Sequence, residues 1–470
     1  MALSHKALQE LSLAYTSGVS RPVNWRRKQL QGIHDLIQNN QDALVSAALD
    51  DKRLVCADVL LELASVLVLV HSQLDAVIGS SKPSQSTATN FLVPASKREV
   101  MNTQNPAGVV VVSSHWAFPY GSSLGSMVLA YAAGNVIALV PPTSRISSLL
   151  ATLLSKNLDL FGYAVISPEE VKAAALDVPS GPALLVLDVG NNGALEPIRS
   201  LAAPSAPAVA YVNYLALGKR GSSPKSRAKA AEAIAQEIMQ SKVVFNGQAN
   251  LAPFIVYIDE EIFHEISGEF VAAAKALATG RMRTEAREIV AMKGVRTLSN
   301  GFVEVVEVEA GSTRPVDFSP FHRASTLVLA RVRGPDAAID RVQSSTRVPA
   351  FYLYTQEPFI TYITKNVDSD KTVVNSIPLE LLANPFATSS TTISPSLSHA
   401  QNISKSPTLA TSFVDAPHEF EPRLAKAIAG ATIERLDEGD GPTATSSTMS
   451  GWPSASSSTR PMRASRSVPS

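Results

Sequence analysis

Val109-Val110-Val111-Val112 is a run of four β-branched residues, a composition that loses side-chain freedom in a helix and packs well on a pleated sheet. The buried strand it predicts, Ala107 to Ser113, is followed by a helical stretch from Ser122 to Ala133 and by Gly134-Asn135 as a stop signal. A second apolar strand, Val136-Ile137-Ala138-Leu139-Val140, then ends at Pro141-Pro142. Strand, crossover helix and strand in that order close as a right-handed parallel unit. Leu158 to Ile166, Ala183 to Val189 and Ala208 to Tyr214 continue the alternation. The predicted fold class is therefore α/β, with an open, doubly wound sheet.

On the N-terminal side, Leu30, Ile33, Ile37, Leu44, Ala47 and Ala48 recur at three- and four-residue spacing and predict amphipathic helix between Asn24 and Leu49. A second helix is expected from about Ala57 to Val77. Arg98 to Asn102 reads as a short strand. A second α/β lobe is predicted from a helix at Ala228 to Gln240, a strand at Phe254 to Ile258 and a helix with Asp259 as its N-cap. Strands at Phe302 to Val308 and Thr326 to Val332, a helix at Asp336 to Gln343, and strands near Ala350 to Tyr354 and Thr372 to Asn375 complete that lobe. Ser, Thr and Pro crowd Ala387 to Ser412 and, more densely, Asp437 to Ser470. Such composition predicts a solvated loop and a disordered tail.

Lys plus Arg balances Asp plus Glu at 41 each, so no net field draws the protein toward nucleic acid or an anionic membrane. The aromatic residues are too few and scattered for a base-stacking platform. Residues 1–21 lack the continuous apolar segment of a secretory signal, which predicts a cytoplasmic protein. Val55 to Val70 is interrupted by Asp58 and Glu62 and falls short of the ~20 residues that span a bilayer. Cys56 is the single cysteine, excluding an internal disulfide and a Cys-rich zinc site; within an apolar helix it reads as a buried, inert thiol. His5, His34, His71, His264, His322, His399 and His418 show no metal-ligand spacing, so no metal is expected. The charge clusters Asp259-Glu260-Glu261 and Lys225 to Lys229 read as solvated helix faces or helix starts.

Three ordered motifs carry a resemblance. Asn105 to Pro119, reading NPAGVVVVSSHWAFP, resembles the aldehyde dehydrogenase stretch Pro-x-Gly, hydrophobic strand, Trp-Asn-Tyr-Pro. Ala132-Ala133-Gly134-Asn135, a strand and Pro141 resemble that family's Ala-Ala-Gly-Asn, strand, Lys-Pro-Ser-Glu. Phe245 to Pro253, reading FNGQANLAP, is similar to Asn-x-Gly-Gln-x-Cys-x-Ala-Pro. The likeness extends more thinly from about Arg26 to Phe386, and the early Trp116 suits the short branch of class-three and fatty-aldehyde enzymes. It implies a helical segment and dinucleotide-binding-type domain over residues 1–240, with dimerisation-arm strands near 91–104. A catalytic-type domain over 241–386, an arm or loop over 387–436 and a tail over 437–470 follow.

The family's chemistry needs a thiolate that attacks the carbonyl and a hydride that leaves for nicotinamide. Carried over position by position, Asn250 stands where the resemblance puts the nucleophilic cysteine, and a carboxamide is a poor nucleophile. Ala117 takes the place of the asparagine that donates to the oxyanion, an interaction of order ~3 kcal/mol in comparable sites. In Tyr214 to Lys219, YLALGK, Ala216 replaces the deacylating glutamate. Aldehyde oxidation is therefore expected to be lost. Among cofactor positions, Trp116, Pro119 and Gly190, the last in the turn Val189 to Gly193, remain candidates. Val140 replaces the ribose-binding lysine, Thr143 its glutamate, and Asp317 to Arg323 offers no clear match for Glu-x-Phe-Gly-Pro. NAD or NADP binding is expected to be weakened, with no cofactor required.

Two readings follow. One is a binding or partner protein on the retained fold, a homodimer or a heterodimer with an active homologue, taking a small carbonyl ligand. The other is an enzyme acting on a carbonyl metabolite without a covalent step, in a biosynthetic pathway of the fungal secondary-metabolite kind. In the second, His115 serves as acid or base, although its place ahead of a strand-end tryptophan reads first as a structural hydrogen-bonding role.

Overall fold

The computed structural model describes residues 2–50, 54–79, 85–86, 100–101, 106–142, 144–167, 184–188, 200–202, 207–219, 221–249, 251–277, 294–308, 325–343, 348–383 and 417–433. Four helices open the chain: α1 (Ala2–Thr16), α2 (Val23–Asn39), α3 (Gln41–Leu49) and α4 (Cys56–Gly79). The predicted helix over 24–49 is thus two, broken at Asn40. A short antiparallel pair, β1 (Gln85–Ser86) and β2 (Val100–Met101), follows.

The valine run forms β3 (Val109–Ser113), and β4 (Val136–Val140), β5 (Tyr163–Val165), β6 (Leu184–Asp188) and β7 (Ser200–Ala202) pair with it in the order β5-β4-β3-β6-β7. Every pairing is parallel, the doubly wound arrangement expected. Val110, Val112, Ile137 and Leu139 face α2, α4, α5 (Ser126–Ala132) and α6 (Ser144–Asn157). Val109, Val111, Val136 and Ala138 pack under Leu8 and Leu11 of α1. Asn135, just past Gly134 (φ 83°), binds the crossover to the first strand: its Oδ1 accepts from the Gly108 N–H (3.0 Å) and its Nδ2 donates to Ala130 O (3.2 Å).

The helix predicted from Ser122 divides in two. A π-helical turn, Gly121–Gly125, precedes α5. Here the hydroxyls of Ser122, Ser123 and Ser126 donate to the carbonyls of Phe118, Pro119 and Ser122, and side-chain competition of this kind bends regular helix.

The strand predicted at Ala208 to Tyr214 belongs to a second sheet rather than to the first. As β8 (Ala208–Val212), it pairs with β9 (Pro253–Asp259) and β13 (Phe351–Tyr354). With β10 (Val295–Asn300), β11 (Glu304–Val308), β12 (Thr326–Val332) and β14 (Thr372–Val374) the order is β10-β11-β12-β9-β8-β13-β14, parallel except at β10. Periodicity alone does not tell a strand which sheet to join. α7 (Pro224–Val243) and α8 (Phe263–Ala276) cover one face, and α9 (Pro335–Gln343) and α10 (Phe359–Asn366) the other.

A short α11 (Leu379–Ala383) precedes α12 (Pro417–Gly430), which lies where composition predicted arm or loop. Ile428 is buried and Leu424 partly buried against α2 and α4, enough of an apolar stripe to hold a helix. α4 is long and apolar enough to cross a membrane by length and composition, contrary to the expectation for Val55 to Val70. Its packing is that of a core helix, with most of its apolar residues in the cluster shared with α2, α5 and β3. Met1–Ile433 form one compact unit. The predicted tail, 437–470, lies outside the described residues.

Candidate functional site

In an open parallel sheet the crevice lies beyond the carboxyl ends of the strands, where the order reverses. In the first sheet that point is between β3 and β6, and the segment leaving β3 there is Ser114-His115-Trp116-Ala117-Phe118-Pro119. The Ser114 N–H donates to Val140 O (3.0 Å), continuing the sheet by one residue. The chain then folds on itself: Phe118 N donates to His115 O (3.2 Å), Ala117 N to His115 Nδ1 (3.2 Å), and His115 N to Ser122 Oγ (2.9 Å). The imidazole stacks at 5.6 Å from the Trp116 ring and 5.9 Å from that of Phe118. With Nδ1 accepting, the proton of a neutral His115 sits on Nε2.

The second sheet reverses between β8 and β13, and the segment leaving β8 is the short turn Tyr214–Leu217 that holds Ala216. Asn213 caps it, its Oδ1 accepting from Leu215 N (3.1 Å) and from Thr355 Oγ1 (3.0 Å). Asp259 at the end of β9 accepts from Tyr211 Oη (2.7 Å), Asn213 Nδ2 (2.9 Å) and Tyr214 N (2.8 Å). This corrects its predicted role as an N-cap in a solvated acidic cluster: its carboxylate is committed backwards to β8, it is 2% exposed, and α8 begins only at Phe263. Burial raises its carboxyl above the ordinary range, and the Tyr211 and Tyr214 bonds oppose that rise. Asn375 closes the network, its Oδ1 accepting from Thr355 N and its Nδ2 donating to Thr355 O, both at 2.9 Å.

The third segment leaves α7 through a tight turn. Phe245 (φ 55°), Asn246 (φ 54°) and Gly247 (φ 77°) are all left-handed, a conformation that costs a bulky residue roughly 1–2 kcal/mol. The surroundings hold it there. Asp58 Oδ2 accepts from Phe245 N (3.0 Å), and the Phe245 ring lies 4.6 Å from that of Phe118. Beyond the turn Leu251 O accepts from Tyr352 Oη (2.7 Å). A Cβ on Gly247 would stand 3.0 Å from Ser325 Oγ and 3.3 Å from its backbone. Gly247→Ala is expected to cost about 2–3 kcal/mol, the sum of a left-handed alanine and a tight contact; a urea midpoint unchanged within error would show that the turn relaxes freely.

α4 joins two of these segments. Asp58 and Glu62, one turn apart, are both buried: Asp58 holds the turn at Phe245, and Glu62 Oε1 accepts from Tyr120 N (2.9 Å) and Gly121 N (2.5 Å) just past Pro119. Burial pushes the Glu62 carboxyl well above its usual range, against the pull of the two N–H donors. Sequence reasoning took these acids as interruptions of an apolar run; that they are acids at i and i+4 on an otherwise apolar face was the available signal.

Ala117 is buried, and Ala216 packs partly buried against the same apolar cluster, which includes Phe118, Phe245, Ala249 and Leu251. The structure thus gathers Ala117, Ala216 and both neighbours of position 250. Asn250 itself, Gly190, Thr143 and residues 317–323 lie outside the described residues. Trp116 is half-buried and Pro119 buried. Val140, 7% exposed at the end of β4, offers no polar group to a ribose. The hydroxyl of Ser114, also buried, has no hydrogen-bond partner among the described residues. Cys56, expected to be buried, is half-buried in the first turn of α4, and burial and Glu421 push its thiol up to about 11. No group of three metal-ligating side chains occurs among the described residues.

The fold is that of the aldehyde dehydrogenases. A substrate-bound Staphylococcus aureus AldH matches with a TM-score of 0.63 over 81% of this chain and 86% of that one, at 13% identity. The NADP complex of glyceraldehyde-3-phosphate dehydrogenase GapN from Methanocaldococcus jannaschii matches with a TM-score of 0.59 at 14% identity, over 80% and 86% of the two chains. In sequence, the aldehyde dehydrogenase family model matches residues 5–160. Aldehyde dehydrogenase family 3 member B1 of Bos taurus is 29% identical over 35% of this chain, a match that spans only about a third (35%) of that relative's length. The dimeric NADP-preferring aldehyde dehydrogenase of Canis lupus familiaris is 22% identical over 77% of this chain and 81% of its own. In sequence over residues 5–160, and in fold over about four fifths of its length (81%), the chain is similar to the aldehyde dehydrogenases.

Proposed function

We propose that this protein keeps the aldehyde dehydrogenase fold without oxidising aldehydes and acts by binding or partnership. The observation that carries the reading is the make-up of one wall of the site. Ala117, Ala216, Ala249 and Leu251 line or pack against a single apolar cluster, at and beside the positions matched to the oxyanion donor, the base and the nucleophile. Alanine supplies neither a hydrogen bond nor a proton acceptor, and the asparagine at 250 is a poor nucleophile. The Ala117 N–H, the backbone donor at this position, is engaged by His115 Nδ1. Loss of one member of such a unit costs ~10⁶ in turnover, and further losses add little.

Cofactor affinity is reduced in this reading, because Val140 gives a ribose nothing to bind. The dog relative is named as dimeric; on that likeness we assign this chain a pairing role, with its own copy or with an active homologue. Purified protein mixed with NAD or NADP and a panel of aliphatic and aromatic aldehydes is expected to give no aldehyde-dependent rise in absorbance at 340 nm. Reduced nicotinamide formed in proportion to enzyme, and abolished by Asn250→Ala, would overturn the reading. Turnover of a carbonyl substrate that survives Asn250→Ala but is lost in His115→Phe would replace it with the non-covalent enzyme.

A further inference from the structure

The loop 158–162 between α6 and β5 holds two large apolar side chains in water. Leu160 is 67% exposed and Phe161, next to it, 69%. Single exposed apolar residues are ordinary on a protein surface, whereas an adjacent pair on a fixed tip calls for a partner. Asp159 fixes the tip, and every one of its polar atoms is bonded. Its Oδ2 accepts from Trp25 Nε1 (2.8 Å), its Oδ1 from Phe161 N (3.1 Å) and its carbonyl from Gly162 N (2.9 Å), while its N–H donates to Gln29 Oε1 (3.1 Å). Two glycines close the fit: a Cβ on Gly162 would stand 2.8 Å from Trp25 Cζ2, and one on Gly32 would collide with Asn157 O. The backbone of the tip is therefore set in advance, and burying it against a partner costs little further ordering.

The balance of 41 cations and 41 anions over the whole chain conceals a local excess. Neither 11–34 nor 100–158 contains an Asp or a Glu, and these stretches supply most of α2 and all of α6, the two helices that hold the tip. Arg21 just before α2, Lys28 on α2 and Lys156 in the last turn of α6 are exposed. Lys28 lies about one turn from both Trp25 and Gly32, which face the loop, and Lys156 lies four residues before Leu160. No acidic side chain pairs with any of the three cations among the described residues. The carboxylate of Asp159 is taken up by Trp25 and by the loop itself, and the next acid along α2, Asp35, lies beside His34.

We propose that this tip docks the protein peripherally on an anionic lipid bilayer, with Leu160 and Phe161 entering the boundary between headgroups and acyl chains and Arg21, Lys28 and Lys156 meeting the lipid phosphates. That boundary takes up leucine and phenylalanine, and each cation near an anionic leaflet adds to the attraction. Two side chains on a convex tip fall short of the ~800 Å² per partner that a stable protein–protein interface buries, which favours a bilayer over a second copy. The tip stands at the amino end of β5, whereas the crevice that holds Ala117 lies beyond the carboxyl ends of the strands in the same parallel sheet. The docking surface and the candidate site are thus distinct, and neither depends on the chemistry of the other.

Co-sedimentation of the full chain with lipid vesicles tests the docking. At low salt the wild-type protein is expected to partition about tenfold more strongly onto phosphatidylcholine vesicles containing about 30% phosphatidylserine than onto pure phosphatidylcholine, and to be released as salt rises. Leu160→Ser combined with Phe161→Ser is expected to weaken partition onto the anionic vesicles about tenfold. Lys28→Glu combined with Lys156→Glu is expected to erase the preference for them. All four side chains are exposed, and an unchanged urea midpoint checks that the fold survives. Wild-type protein that stays in the supernatant with anionic vesicles at low salt overturns the proposal without reference to any variant. Binding that persists in the double serine variant overturns it as well, and a dimer in sedimentation velocity that dissociates in that variant assigns the tip to a second copy instead.

Discussion

Glu62→Ala is expected to lower stability at neutral pH by about 4 kcal/mol, while Glu62→Gln keeps the protein within about 1 kcal/mol of the wild type. The alanine leaves Tyr120 N and Gly121 N buried without an acceptor, and each orphaned amide costs ~1–3 kcal/mol. A cavity beneath the π-helical turn adds to that loss. Glutamine retains the Oε1 that takes both bonds and carries no charge into the core. The pH dependence has a definite sign. Burial raises the Glu62 carboxyl in the folded chain, so the folded state holds a proton that the unfolded state releases above its ordinary value near 4.5. The stability this contributes is complete in acid and is lost as pH rises through the folded value. Glu62→Gln is therefore expected to gain on the wild type as pH rises, in paired urea titrations followed by tryptophan fluorescence. A Glu62→Ala protein as stable as the wild type at pH 7 would mean that the two amides find another acceptor, and that α4 does not hold the turn after Pro119.

Much of this architecture is legible in the sequence because apolar periodicity is a local signal. The valine run, the Gly134-Asn135 stop and the strands at Phe254, Thr326 and Phe351 fall where burial requires them. What escaped is what tertiary partners decide. β8 joined the second sheet because its neighbours in space are β9 and β13, and no residue within Ala208 to Val212 records that choice. Asp259 looked like a helix cap because Ser, Thr, Asp and Asn favour that place, but its acceptors are used by Tyr211 and Asn213, nearly fifty residues earlier. α12 was hidden by the Ser- and Pro-rich composition on its N-terminal side, which says nothing of an apolar stripe as short as Leu424 and Ile428. In the site, Asn135 was readable as a match to a motif and Asn375 as the end of a predicted strand. Their work, tying β4 to β3 and fixing Thr355, became visible only with the bonds in place.

Lys242→Met is expected to stabilise the protein at pH 7 and to leave it little different from the wild type near pH 10. Lys242 lies in the last turn of α7, is fully buried, and has its Nζ 5.3 Å from the centroid of the Phe254 ring. Burial lowers its ammonium from 10.5 to about 7. Between those values the unfolded chain binds a proton that the folded chain has released, so stability rises with pH across that window. Below about pH 7 both states are charged, and the fold bears the whole cost of a desolvated cation. That cost is on the order of 3–5 kcal/mol, larger than the value of one cation–π contact. Methionine fills a similar volume with no charge to bury. The buried carboxyls of Glu62, Glu237 and Asp259 are raised above their ordinary range and tilt the pH profile the opposite way, so the decisive quantity is the difference between wild type and Lys242→Met, not either curve alone. That difference should be largest at about pH 7 and shrink steadily toward pH 10. Lys242→Arg, which cannot shed its proton, should be destabilised across the whole range. A difference independent of pH would show that Lys242 keeps the same charge in both states, and that its partners in the last turn of α7, beside the left-handed turn at Phe245, are strong enough to hold an ammonium in the core.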